Sequence, residues 1–71
     1  MKILIVGATG TLGRQIAKQA VEEGHDVRCL VRNPRKASFL QEWGCELTKG
    51  NLLNKSDISY SLQDIETVID V

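Results

Sequence analysis

The sequence has few aromatic residues, no excess of either charge and no long apolar run. Phenylalanine, tyrosine and tryptophan occur once each, so a core must be built mostly from aliphatic side chains. Nine basic and nine acidic residues cancel, which gives no electrostatic reason to expect nucleic acid or an anionic membrane as a partner. The apolar run from Ile3 to Val6 is far too short for a transmembrane segment or a signal-peptide core, and we expect neither.

Cysteine is also scarce. Cys29 and Cys45 are the only two, and their spacing fits neither a metal-ligand pair nor a redox motif, so no metal site is expected. Both lie in or beside apolar segments. We therefore predict buried, reduced thiols that pack as small hydrophobic groups.

Strand-like and helical patterns alternate along the chain. The uninterrupted apolar run of Ile3 to Val6 is typical of a strand covered on both faces in a parallel sheet. Apolar residues at three- and four-residue steps predict a helix from Thr11 to Glu23, ended by Gly24. Further strands are predicted at 26–31, 45–48 and 67–71. A second helix is predicted at 34–43, with Asn33 as its cap. A third is predicted at 55–62, capped by Asn54 or Ser56.

The order β-α-β-α-β-α-β predicts an α/β fold, a Rossmann-type doubly wound parallel sheet with right-handed crossovers. Because the last predicted strand ends the sequence, we expect residues 1–71 to be the N-terminal portion of one such domain, incomplete at its C-terminus. Sheet faces that later helices normally cover would be open. We therefore expect the isolated chain to be unstable or to aggregate.

A glycine-rich loop with the spacing G-x-x-G-x-x-G joins the first strand to the first helix. Gly7 would allow the sharp turn, Gly10 the close approach of a pyrophosphate, and Gly13 the close packing of the helix. The first amides of the helix are unpaired donors at its positive end. This context favours a dinucleotide site over a ligand-free structural turn, with the pyrophosphate contacted by Gly7, Thr9, Gly10, Thr11, Leu12 and Gly13.

The residue after the second strand indicates which dinucleotide binds. NAD-binding domains place a carboxylate there for the ribose hydroxyls, whereas this sequence has Arg32. A guanidinium cannot accept a hydroxyl proton, but it suits a 2′-phosphate, and Arg35 and Lys36 follow close by. We predict NADP(H) in preference to NAD(H), bound by Arg32 and Lys36; the alternative is an ordinary solvated cluster. Asn51, just after the third strand, is expected to contact the adenine edge.

Two segments, Val6 to Ile16 and Arg28 to Asn33, resemble the NmrA-like branch of the atypical short-chain dehydrogenases/reductases. The segment from Leu30 to Leu47 more narrowly resembles a photosystem II assembly subgroup of that family, encoded in cyanobacteria and algal plastids. The similarity covers nearly the whole chain. It departs at Gly50-Asn51-Leu52, where the family commonly has Gly-Asp-Leu, and in length, since family members are several times longer.

The resemblance implies a dinucleotide-binding protein that assists photosystem II assembly. It implies a location on the stromal side of the plastid thylakoid, or in the cyanobacterial cytoplasm at the thylakoid surface. The implied partners are photosystem II reaction-centre subunits and small chlorophyll-binding one-helix proteins.

Two other interpretations remain open. One is an NADPH-dependent reductase of the NmrA or isoflavone-reductase type, which requires a proton donor such as a Tyr-x-x-x-Lys pair. Tyr60, the only tyrosine, has no lysine after it, so no catalytic residue is predicted within this chain. The other interpretation is a truncated reading frame without function.

Overall fold

Four parallel strands form a single sheet with helices on both faces. A computed structural model describes all 71 residues. The strand order is β3-β2-β1-β4, and every neighbouring pair is parallel. This confirms the predicted doubly wound arrangement, with β1 at the point where the winding reverses. The elements are β1 (Lys2–Val6), α1 (Thr11–Glu22), β2 (Asp26–Val31), α2 (Ser38–Glu42), β3 (Glu46–Lys49), α3 (Lys55–Ser61) and β4 (Thr67–Asp70).

One face of the sheet packs against α1 and α2, and we call it the α1/α2 face. Its core contains eleven buried residues in one continuous cluster. Small alanines on α1 let that helix approach the branched side chains of β1 and β2 closely. The central members are Ile3 and Ile5 from β1, Val27, Cys29 and Val31 from β2, Ala17 and Ala20 from α1, and Leu40 from α2.

The opposite face, which we call the α3 face, has a much smaller apolar cluster of Leu4, Val6 and Leu30. Beside it lies Arg28, a β2 residue that is only 8% exposed. Its Nε donates to Glu46 Oε1 on β3, and its Nη1 donates to the carbonyl oxygens of Ser61 at 2.9 Å and Gln63 at 2.8 Å. A buried guanidinium therefore ties two strands to the C-terminal end of α3.

The predicted start of α2 at Pro34 is wrong, because residues 34–37 form tight turns and the helix begins at Ser38. The Asn33 side-chain oxygen accepts from the amides of Arg35 at 3.2 Å and Lys36 at 3.4 Å. The amide of Ala37 donates to the carbonyls of Asn33 and Pro34. The single i→i−4 bond, from Ala37 to Asn33, is not continued by the Ser38 amide, so no helix begins at Pro34. The other boundaries differ from the predicted ones by at most one residue.

Both cysteines are free and buried on the α1/α2 face, as predicted. Burial raises the pKa of the Cys29 thiol, and its proximity to Cys45 raises it further. Burial also raises the pKa of the Cys45 thiol, while a hydrogen bond with Cys29 partly offsets that rise. Both thiols are therefore held in the neutral form. None of the helices has the length and apolar character needed to span a bilayer.

Candidate functional site

An open cleft of about 890 Å³ lies at the carboxyl ends of the strands, where β1 separates β2 from β4. This is the switch point at which doubly wound folds bind ligands. Three loops form its wall. The residues that concern function are Gly7 and Thr9 after β1, Arg32, Asn33 and Lys36 after β2, Asn51, Leu52 and Leu53 after β3, together with Arg14 of α1 and Asp70 of β4.

The cleft brings together five of the predicted site residues and not the other four. Gly10, Thr11, Leu12 and Gly13 do not line it; they follow Thr9 in the loop and in the first turn of α1. The predicted residues that do line it are Gly7, Thr9, Arg32, Lys36 and Asn51.

Two of the loop glycines are required by the chain itself. Gly7 has a φ of +86°, a conformation that side chains rarely adopt, and a Cβ there would lie 2.6 Å from the Val71 carbonyl oxygen. A Cβ on Gly13 would lie 2.1 Å from the Gly7 carbonyl oxygen and 2.8 Å from the Ala8 Cα. Glycine at these positions therefore lets the loop turn and lets α1 pack against it.

Gly10 differs from both. Its φ of −75° and ψ of 169° describe extended backbone that any residue adopts. A Cβ there would meet only the Gly7 carbonyl oxygen, at an ordinary contact distance of 3.6 Å. Because neither conformation nor packing requires glycine at this position, the bare backbone leaves room for a ligand that approaches it closely.

The first turn of α1 presents unpaired donors beside Gly10. The backbone amides of Thr11, Leu12 and Gly13 donate to no acceptor in the chain. No side chain caps this 12-residue helix, and its first turn contains no acidic residue. The free amides and the helix dipole together favour an anion at this end of the helix.

The turn after β2 supplies positive charge to the cleft wall. Arg32 and Lys36 are exposed and line the cleft, whereas Arg35 of the same turn does not. None of the three forms a salt bridge within the chain. Asp70, at the end of β4, is the only carboxylate on the wall. The β2 side of the cleft is therefore suited to a phosphate group.

Asn51 uses part of its hydrogen-bonding capacity within the chain. Its Oδ1 accepts from the Leu53 amide at 2.9 Å, and its own amide N–H donates to Asp57 Oδ2 at 2.9 Å. One lone pair of the side-chain carbonyl is thus used within the loop. Its second lone pair and both Nδ2 protons remain for a ligand, so Asn51 can still donate and accept.

Arg14 also lies on the cleft wall, and the sequence analysis missed it. Its Nε donates to the Thr9 carbonyl oxygen at 2.8 Å. Helical periodicity placed this residue on the polar side of α1, which is the usual place for a solvated arginine. The available signal was its position directly after the third glycine of the loop.

Comparison with known proteins places this geometry in a family. The model of the NmrA-like family matches residues 1–71. The photosystem II assembly factor Ycf39 of Synechocystis is 53% identical over 70 residues, which is 99% of this chain and 22% of that protein. The chloroplastic protein High Chlorophyll Fluorescence Phenotype 244 of Arabidopsis thaliana is 54% identical over 69 residues, 96% of this chain and 18% of that protein. The chain thus spans about a fifth of the length of these relatives.

More distant similarities include a reductase, an oxidoreductase and one match in fold alone. A phenylcoumaran benzylic ether reductase of Ginkgo biloba is 36% identical over 76 residues, covering 96% of this chain and 25% of that protein. The structure of the NADPH-dependent quinone oxidoreductase QOR2 of Escherichia coli, complexed with NADPH, superimposes with a TM-score of 0.81 at 27% identity over 96% of this chain and 25% of that one. The apo form of AtPrR2 matches in fold, with a TM-score of 0.88 at 23% identity over 99% of this chain and 28% of that one.

Proposed function

The chain belongs to the NmrA-like family, and on that premise we propose that it forms the adenosine-phosphate half of an NADP(H) site in a protein that assists photosystem II assembly. One observation carries the proposal: Gly7 and Thr9 of the glycine loop line one cleft together with two cations that have no acidic partners. The free amides of Thr11, Leu12 and Gly13 lie in the stretch between Thr9 and Arg14, both of which line that cleft. Bound NADPH would supply a hydride donor or a redox signal.

In this proposal each of the three loops contacts a different part of the cofactor. The pyrophosphate lies against the backbone of Gly7, Thr9 and Gly10 and accepts hydrogen bonds from the amides of the first turn of α1, at Thr11, Leu12 and Gly13. Arg32 and Lys36 contact the adenosine 2′-phosphate. Asn51 donates from Nδ2 to a ring nitrogen of the adenine.

The preference for NADP(H) follows from the charges after β2. No carboxylate stands there to accept hydrogen bonds from a free 2′-hydroxyl, and Arg32 occupies that position. A phosphate monoester adds about −1.5 to −2 charges at neutral pH, which two unpaired cations offset. The solved NADPH complex of QOR2, 27% identical to this chain, supports a nicotinamide dinucleotide as the ligand class.

The role in photosystem II assembly rests on the relatives. Proteins named as photosystem II assembly factors share more than half of their aligned residues with this chain. We propose that the protein acts on the stromal side of the plastid thylakoid or at the cyanobacterial thylakoid surface. Its proposed partners are reaction-centre subunits of photosystem II and small chlorophyll-binding one-helix proteins.

A second candidate is an NADPH-dependent reductase, which the 36% identity to the Ginkgo biloba enzyme favours. The cleft gives this candidate no catalytic residue. Tyr60 lies exposed on α3 and is absent from the cleft wall. Proton donation to a reduced substrate would therefore have to come from residues outside this chain.

Titration of the purified 71-residue chain with NADPH and with NADH tests the proposed function. Arg32→Asp reverses the charge at the proposed 2′-phosphate contact. It is expected to weaken NADPH binding at least about tenfold and NADH binding much less. Nuclear magnetic resonance shifts at millimolar dinucleotide suit the measurement, because half a site binds weakly. Small, equal changes for the two dinucleotides would contradict the assignment.

Two variants serve as controls in the same titration. Arg35→Asp makes the same charge change on the same turn but away from the cleft wall, so the ratio of the two affinities is expected to stay near that of the unmodified chain. Gly10→Ala adds a Cβ where the chain has room and a bound pyrophosphate does not. It is expected to weaken NADPH and NADH equally while leaving the thermal unfolding temperature unchanged.

A further inference from the structure

Arg14 is held from two sides between the glycine loop and α2. Its Nε donates to the Thr9 carbonyl oxygen at 2.8 Å, and its Cζ lies 4.5 Å from the centroid of the Phe39 ring. The first contact fixes the guanidinium to the loop, and the second fixes it to α2 by a cation–π interaction. An exposed arginine with two such contacts is preorganised rather than free in solvent.

The Phe39 ring under Arg14 is held in place by a second aromatic ring. Phe39 packs edge-on against Trp43, with ring centroids 5.1 Å apart and planes at 74°. Lys18, one turn after Arg14 on α1, places its Nζ 6.0 Å from the centroid of the Trp43 ring. Two cations on α1 thus lie over the ring of Phe39 on α2 and that of Trp43 directly after it. Arg14 is the one of these four residues that lines the cleft.

The remaining donors of Arg14 are unused. A guanidinium carries five N–H groups, and only the Nε–H of Arg14 is hydrogen-bonded within the chain. Arg14 forms no salt bridge. An oriented guanidinium with free N–H groups on a cleft wall is suited to an anionic ligand group.

We propose that Arg14 is the third cation of the 2′-phosphate site, acting with Arg32 and Lys36 to select adenosine nucleotides that carry that phosphate. Its stacking on Phe39 shows that the guanidinium lies on the α2 side of α1. The turn with the other two cations leads directly into α2, and all three side chains line the one cleft. This inference rests on the proposed function and adds a specificity-determining residue to it.

The test compares two ligands that differ only in the phosphate at issue, adenosine 2′,5′-bisphosphate and adenosine 5′-monophosphate. Arg14→Ala is expected to weaken binding of the bisphosphate about tenfold and of the monophosphate less than about twofold. Arg14→Lys keeps the charge but loses the fork and the Nε contact with Thr9, so an intermediate loss is expected. If Arg14→Ala does not fold, Arg14→Lys tests the inference instead, through the ratio of its affinities for the bisphosphate and the monophosphate.

Matched controls separate this role from general electrostatics and from packing. Arg35→Ala removes the same charge from a residue away from the cleft wall, and Lys18→Ala removes the other cation–π contact of the set. Both variants are expected to bind the two ligands as the unmodified chain does. Phe39→Leu keeps Arg14 but removes its platform, and it is expected to give a partial loss confined to the bisphosphate.

Two results would overturn the inference. Equal weakening of both ligands by Arg14→Ala would mean that the residue acts on the loop or on the 5′-phosphate. Unchanged binding of both would mean that it contacts neither. If the unmodified chain binds neither ligand, the proposed function fails and the inference fails with it. If the unmodified chain binds both ligands and Arg14→Ala binds them equally well, only the inference about Arg14 is contradicted, and the proposed function stands.

Discussion

The two faces of the sheet are stabilised in different ways. The α1/α2 face buries eleven residues in one apolar cluster under two helices. The α3 face buries three, and beside them Arg28 connects β2 and β3 to two backbone carbonyls at the end of α3. The first face is stabilised mainly by removing apolar surface from water, and the second by directed hydrogen bonds to a buried cation.

The difference predicts how each face responds to substitution. The energy of an apolar cluster scales with the area that it buries, so truncating a side chain costs most in the larger cluster. A buried guanidinium has few contacts, and losing it leaves carbonyl oxygens without their donor. The α3 face should therefore depend on the single residue Arg28 about as strongly as on any of its apolar side chains.

Neighbouring residues of β1 give the most direct comparison, with the largest expected effect. Ile5 is fully buried on the α1/α2 face, and Leu4 is 2% exposed on the α3 face. Ile5→Ala is expected to lower the free energy of unfolding by about 4 kcal/mol, and Leu4→Ala by about 2 kcal/mol, since the thinner cluster relaxes more easily around a cavity. Urea denaturation followed by circular dichroism measures the loss for Leu4→Ala and shows whether Ile5→Ala retains any cooperative transition.

The outcome also bears on the stability of the chain as a whole. The unmodified chain is measured first, because its open sheet faces predict instability or aggregation. Where it shows a cooperative transition, the stability of so small a chain is marginal, so Ile5→Ala is expected to abolish that transition while Leu4→Ala retains a weakened one. Equal losses, or a larger loss for Leu4→Ala, would show that the two faces contribute alike and that the comparison is wrong.

Arg28 tests the α3 face directly, with the next largest effect. Arg28→Ala is expected to cost about 2 kcal/mol, because the carbonyls of Ser61 and Gln63 lose their donor. Arg28→Lys cannot reproduce the fork and is expected to recover only part of that loss. The free energy of unfolding from urea denaturation is again the measurement.

Glu46 provides the control for Arg28, because its side chain is about half exposed. Glu46→Gln removes the ion pair but leaves the two carbonyl contacts of Arg28 in place. The expected cost is less than about 1 kcal/mol. A cost as large as that of Arg28→Ala would assign the stabilisation to the ion pair rather than to the carbonyls.

The buried thiols give a smaller effect, confined to the α1/α2 face. A raised pKa means that the folded chain retains the Cys29 proton where the unfolded chain releases it. The free energy of unfolding is therefore unaffected below the ordinary thiol pKa of 9.0 and falls as the pH rises above it. At pH 10 the expected loss from Cys29 is about 1.4 kcal/mol.

Cys29→Ala isolates the contribution of this thiol. Urea midpoints of the variant and of the unmodified chain, compared at pH 7 and pH 10, are expected to converge as the pH rises. A constant gap between them would mean that the thiol ionises as readily in the folded chain as in the unfolded one.

Much of the fold was predictable because its pattern is local. Uninterrupted apolar runs mark strands covered on both faces, and glycines such as Gly24 end the helices. The strand order follows from the alternation of strands and helices together with the right-handed crossover rule. The loop glycines were predictable for the same reason, since Gly7 and Gly13 are needed by backbone geometry that the motif encodes.

The remaining features depend on contacts between distant parts of the chain. Arg28 is a charged residue inside an apolar strand pattern, and its two carbonyl acceptors lie more than thirty residues away. The sequence pattern of Arg14 is that of a solvated residue, and only the structure shows that its guanidinium stacks on the Phe39 ring. The start of α2 was predicted too early because Asn33 followed by Pro34 is a typical helix start. In the structure the amides after them bond in tight turns, and the helix begins at Ser38.

The central position of β1 also has a consequence for the growing polypeptide. Translation delivers β1 first and its neighbour β2 soon after, but its other neighbour β4 comes last of the seven elements. Until Thr67 to Asp70 have been added, one edge of β1 carries unpaired N–H and C=O groups. Such edges pair readily with other chains. Pairing with β4 moves this edge of the sheet from the apolar β1 to the shorter β4, so β1 is open to other chains only until β4 has been made.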